Sequence, residues 1–225
     1  MKRYVDMSEI SDGRLYGLND MVKADCRDCE GCSACCRGMG NSIVLDPYDM
    51  YRLSAGLGIL PEVLLAEKLE LTVVEGLILP NLRMQERGEE KEVCGFLDEN
   101  GRCSIHPYRP GICRIFPLGR YYENGSFRYF LQTQECQNQN RGKVKVWKWI
   151  DTPDSKRYDA YISDWHFYLQ ELQEYLRKEA SADSHGLSRE KEMNLAFLER
   201  FFLRPYQEGD FYEQFYQRRR EGKLG

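Results

Sequence analysis

Nine cysteines lie between Cys26 and Cys136, and the chain after Cys136 contains none. Five of them, Cys26, Cys29, Cys32, Cys35 and Cys36, fall within eleven residues. Two residues between cysteines let one tight turn aim both sulfurs at the same ion. Thiolates bind zinc and also hold the irons of iron–sulfur clusters. Gly31 relieves the backbone where sulfurs converge. A second block supplies Cys94, Cys103 and Cys113, each beside a turn, and Cys136 follows. Cysteine also serves as a small buried hydrophobe, but core packing asks for no such density. The pattern points to metal ligation.

The residues around these thiols sharpen the chemistry. Arg109 and Arg114 flank Cys113 and offer a positive field for thiolates and for a cofactor held by them. Histidine is scarce: His106, His166 and His185. His106 follows Cys103 by three residues, a spacing open to ligation, although a solvent-facing turn is the preferred reading. His166 falls on a helix and reads as structural. Read from Cys26, the spacing Cys26-x2-Cys29-x2-Cys32-x3-Cys36 matches a bacterial ferredoxin run, with Arg37 where proline is usual. Chance overlap is the preferred reading of that match. Ligation by cysteine alone suits iron and zinc equally.

The motif Cys29-x-x-Cys32-x-x-Cys35-Cys36 resembles the CxxCxxCC signature of the YkgJ-type cysteine-cluster family, described as zinc- or iron-chelating. The second block is similar to the rest of that family's pattern. It reads Cys94-Gly-Phe-Leu, then Cys103-Ser-Ile with Arg109-Pro110, then Cys113-Arg114-Ile-Phe-Pro117. The resemblance covers about residues 26 to 136. It implies a ligand set of Cys29, Cys32, Cys35, Cys36, Cys94, Cys103, Cys113 and Cys136, with Arg109 and Arg114 beside the cofactor. The family includes flagellin lysine-N-methylases, so the resemblance further implies an iron–sulfur cluster, S-adenosylmethionine as a second cofactor and a protein substrate such as flagellin. A zinc-binding structural or interaction module without catalysis is the alternative. No glycine-rich loop of the usual methyltransferase type is present; Gly56-Leu57-Gly58 follows a helix.

These residues need elements to position them. After a polar lead-in and the first cysteine block, Ser42–Leu45 reads as a short strand. Asp46-Pro47 opens a helix as N-cap and first residue, and Gly56 and Gly58 stop it. Pro61 opens another helix through about Leu69. Leu71–Val74 and Leu77–Leu79 pair around Glu75-Gly76. Asn100-Gly101 marks a hairpin that brings Cys103 back to Cys94. Tyr121-Tyr122 and Phe127–Phe130 form a second hairpin, after which Cys136 ends the arm. From Asp154 the period becomes helical, with Tyr158, Tyr161, Ile162, Trp165, Leu169, Leu172 and Leu176 on one face. Helices from Ser188, a candidate N-cap, to Phe202 and from Asp210 to Arg220 follow. The tail aromatics read as core before they read as a ligand platform. The expected fold is α+β: a metal-organised core with short hairpins over residues 1–150, covered by a helical extension over 151–225.

Composition narrows the class. The net charge is −4, which argues against a nucleic-acid binder. The run Arg218-Arg219-Arg220 reads as the solvated end of a helix. Hydrophobic residues make up 42% of the chain, enough for a packed core. The first residues lack a signal-peptide pattern, and no apolar run approaches a membrane span, so a cytoplasmic protein with reduced thiols is expected.

Overall fold

The computed structural model describes residues 6–27, 32–138, 140–180 and 186–222. Cys29, Gly31 and His185 lie outside the described residues. The polar lead-in, to which the sequence reading assigns no element, forms helix α1 (Met7–Ile10) and strands β1 (Ser11–Tyr16) and β2 (Met21–Asp25). The order continues with α2 (Pro47–Leu57), α3 (Pro61–Lys68), β3 (Leu69–Val74), β4 (Leu77–Leu82), β5 (Met84–Arg87) and β6 (Glu90–Cys94). Then come α4 (Gly111–Ile115), β7 (Leu118–Glu123), β8 (Ser126–Gln132), β9 (Gly142–Lys145) and α5 (Val146–Ile150). Helices α6 (Ser155–Ala180), α7 (Gly186–Leu198) and α8 (Phe211–Arg220) complete the chain. The fold is α+β, built on small antiparallel sheets with helices at the C-terminal end.

The sheets are local where turn chemistry dictates them and long-range elsewhere. β7 and β8 join through Asn124 and Gly125, both at positive φ (50° and 74°). That pair matches the twist of a two-residue hairpin. β3 and β4 join the same way through Glu75 and Gly76 (50° and 88°). β1 adds to the other edge of β8, giving the order β1-β8-β7, and β2 pairs with β9 from the far end of the cysteine region. β1 and β2 were missed because they carry little apolar periodicity; their partners lie more than a hundred residues away.

Asp46 and Asp49 form a capping box at the start of α2, with Pro47 at its first position, and Gly58 closes it in the left-handed conformation (φ 68°). Gly56 does not stop this helix. A Cβ there would lie 2.3 Å from Cγ of the Tyr108 ring, so this glycine admits a close approach by the loop after Cys103. Ser42–Leu45 makes a single bridge, Val44 to Asn81, rather than a strand. Ser42 still belongs to a turn onto Met39 and Asp46 already caps α2, which leaves too few residues to pair. α7 starts at Gly186, two residues before Ser188, and runs into a π turn, Glu199–Leu203.

One hydrophobic cluster extends from Tyr16 to Phe215. In it Trp165 of α6 stacks on Phe197 (5.7 Å) and meets Phe201 edge-on (5.5 Å), while Phe215 meets Tyr161 edge-on (4.7 Å). Tyr48 of α2 stacks on Tyr212 (5.7 Å), which joins α8 to α2 in the cysteine-bearing half. Arg218 is not a solvated helix end. It is buried, faces the Tyr206 ring, and donates to the carbonyls of Arg200, Arg204 and Pro205 at 2.7–2.9 Å. Among the described residues no helix is long and apolar enough to cross a membrane.

Candidate metal centre

The first cysteine block reaches the site on a short 3-10 turn, Ala34–Cys36, with Cys36 N donating to Ser33 O (2.9 Å). The chain then stitches directly to the second block. Arg37 bridges Val93 in antiparallel fashion, Gly38 N donates to Glu92 O (2.9 Å), and the Arg37 side chain pairs with Glu90. All three partners lie on β6, whose last residue is Cys94. The two motifs therefore meet through backbone hydrogen bonds next to the sulfurs themselves.

Cys103 comes back to Cys94 without the expected strand hairpin. Only Leu97 and Cys103 form a bridge. The loop is held by the Asp98 side chain, which accepts from the backbone N–H groups of Asn100 (2.9 Å) and Arg102 (2.7 Å). Ser104 N donates to Phe96 O (2.8 Å). An Asx turn replaces ladder pairing because the side-chain carboxylate satisfies the loop amides locally. Cys113 rides on α4. That helix is fixed by Asp49, whose carboxylate accepts from Gly111 N (2.7 Å).

Cys32, Cys35, Cys36, Cys94, Cys103 and Cys113 line one cavity of about 80 Å³. Its other walls are largely apolar, with Met39, Ile43, Leu82, Met84 and Phe116 among them, and its charged lining residues are Arg102 and Arg109. Cys136 lies in a neighbouring cavity of about 20 Å³, which it lines with Cys26, Cys32 and Cys35. Cys32 and Cys35 are common to both walls. All eight described cysteines are thiols.

Electrostatics mark these thiols as cation seekers. Burial, then the charges of Cys94 and Cys35, push Cys113 well above the ordinary thiol range. Burial raises Cys94 and Cys103 in the same way, with neighbouring cysteines adding to it. Cys35 is lowered to about 7, first by the hydrogen bond from Cys36 and further by the charge of Arg109. Buried thiolates repel one another until a cation lies between them; a bound metal ion reverses that balance and deprotonates its ligands. The donor set thus fits a thiophilic metal. Among the described residues no three His, Cys, Asp or Glu side chains stand as a finished ligand set. Coordination therefore requires the cysteine sulfurs to draw closer together than they stand here.

The two arginines divide. Arg109 lines the thiol cavity and donates to His106 Nε2 (2.6 Å), which occupies that ring nitrogen. Arg114 is buried, donates to Arg109 O (2.8 Å) and Tyr158 Oη (3.3 Å), and faces the Tyr48 and Tyr158 rings. Burial opposes its charge, but the Tyr158 oxygen and then Asp49 and Asp46 outweigh that and favour it. It lines neither cavity. His166 stacks on Tyr122 (3.6 Å) and lines a larger cleft of about 730 Å³. That cleft shares Met39, Ile112 and Phe116 with the thiol cavity. The apolar wall formed by Ile43, Leu82, Met84 and Phe116 was not singled out in the sequence; nothing in the spacing of these residues distinguishes them from ordinary core.

Thiols gathered from two motifs around one apolar cavity in an α+β fold define a cysteine-based metal-binding domain. The model of the CxxCxxCC family, "Putative zinc- or iron-chelating domain", matches residues 28–144, just over half of the chain. The chain belongs to this family. No curated protein and no solved structure matches it.

Proposed function

We propose that the protein holds an iron–sulfur cluster in the thiol cavity and that the cluster changes redox state in its work. The observation that carries this reading is the number of cysteines lining one space. Six thiols line a cavity of about 80 Å³, whereas a structural zinc ion uses four ligands. Arg109 supplies the positive charge that a thiolate-rich cluster needs, and the apolar wall limits water, both of which tune potential. The reading places the protein in a reducing compartment, the cytoplasm, where thiols persist.

Iron and sulfide reconstitution without oxygen should give a broad visible band that bleaches with dithionite, and Cys35→Ser or Cys113→Ser should weaken it. Stoichiometric zinc in protein purified without oxygen, with no sulfide and no bleaching, would replace this reading with the zinc module. The large cleft beside the cavity supports a further step, action on a protein segment with S-adenosylmethionine as the resemblance implies. Calorimetric titration of the loaded protein with S-adenosylmethionine tests that step; absence of binding heat removes it.

A further inference from the structure

We propose that Cys26 and Cys136, together with Cys32 and Cys35, form a second metal site that takes one thiophilic divalent ion beside the larger thiol cavity. The proposal rests on the metal-binding reading of the domain but not on which metal fills the larger cavity. Cys26 stands two residues before the stretch matched by the family model. In sequence it reads as a chance extension of the motif. The fold gives it a definite place. β2 ends at Asp25, which pairs with Gly142 at the start of β9. That pairing lays Cys26 beside the segment that carries Cys136 from β8 to β9. Two sheets thus deliver the two sulfurs, with β8 held by β1 on one side and β9 by β2 on the other.

Both side chains are buried, 6% and 8% exposed. They share a cavity of about 20 Å³ with Cys32 and Cys35. A space of roughly 10–15 Å³ holds one water-sized body, so this cavity suits one ion and the larger one suits more atoms. Four cysteines are the number that a tetrahedral zinc site uses; these four line one cavity but do not yet stand within ligating reach of one point, so the ion would draw their sulfurs together. Cys32 and Cys35 face both cavities, and a thiolate has lone pairs enough to bridge two metals. Charge separates the two sites as well. The larger cavity has Arg102 and Arg109 in its wall, whereas among the described residues Glu135 is the charged one lining the smaller cavity. A wall of thiolates and one carboxylate calls for a cation of its own.

Zinc is the probe. Cys26→Ser should hold one zinc ion fewer per chain than the unsubstituted protein, whether the larger cavity holds zinc or iron and sulfide. Cys103→Ser should leave this ion in place. Because Cys26 is buried, its replacement can disturb folding, so a second measurement uses the unsubstituted chain. Alkylation followed by mass spectrometry should show Cys26 and Cys136 protected in zinc-loaded protein and reactive after chelation. Equal zinc content in Cys26→Ser, or equal alkylation of Cys26 with and without zinc, overturns the second site and leaves Cys26 a core residue. A chain that binds no metal at all overturns the metal reading itself, a result distinct from the first two.

Discussion

Asp159 shows how a single half-buried carboxyl ties this fold to pH. It accepts a hydrogen bond from Tyr129 Oη (2.6 Å) where α6 crosses β8. Burial pushes its pKa up to about 6, against the opposing pull of the Tyr129 hydrogen bond and the Arg120 charge. The folded state therefore binds a proton that the unfolded state has already released, and stability declines as pH rises from about 4 through 6. The contribution is present in full below the ordinary aspartate range and lost above the folded value. Discounted for partial exposure, it is about 2 kcal/mol. Asp159→Asn should flatten the denaturation midpoint across that window. A variant that keeps the full slope would assign the proton to another group; Asp46, raised by burial to about 7, is the next in line.

At the scale of elements, α4 is the piece on which the site turns. It carries Cys113, and three contacts fix it: Asp49 on Gly111 N, Arg114 on Arg109 O, and the packing of Gly111 against Tyr158. A Cβ at Gly111 would lie 2.3 Å from Tyr158 Oη. Tyr158 has no room to yield, since it is fully buried and accepts hydrogen bonds from Arg114 and Arg120. The helix must move instead, and Cys113 with it. Gly111→Ala should cost about 1–3 kcal/mol, as overpacking does, and should weaken metal binding several-fold. Adding Tyr158→Phe removes the clashing oxygen and should recover most of the metal affinity. If the double variant binds no better than Gly111→Ala, α4 does not set the position of Cys113 in the way described.

The whole molecule shares one apolar cluster between the sheets that hold the cysteines and the C-terminal helices. Metal binding should therefore stabilise the entire chain. An ion or cluster present at a hundred times its dissociation constant adds about 2.7 kcal/mol. For a chain of this size that corresponds to roughly 5–10 °C in melting temperature. Chelation should lower a single transition by that amount, followed by both far-ultraviolet and near-ultraviolet circular dichroism. Equal melting temperatures for loaded and stripped protein would show that the metal does not organise the fold. Two separate transitions would show that the aromatic cluster fails to couple the halves.

Much of this was legible in the chain itself, because the relevant forces act within a few residues. The spacing of the cysteines announced metal ligation. Asp46-Pro47 and Asn124-Gly125 fixed a helix start and a hairpin turn through their own backbone preferences, and the stripe from Tyr158 to Leu176 marked the long helix by its period. The α+β class followed from these local signals. Tertiary structure alone decided where distant partners meet. The bond from Gly38 to Glu92 joins the cysteine motifs, and the pairing of β2 with β9 brings Cys26 beside the Cys136 segment. Packing also turned Arg109 toward the thiols and Arg114 toward Tyr158, although both flank Cys113 in sequence. It buried Arg218 under three carbonyls and made Gly56 a seat for Tyr108. Each of these outcomes depends on a partner tens of residues or more away in most cases. Neighbouring residues carry no record of such a partner, because it is chosen by the fit of whole elements and not by the conformational preference of any one residue.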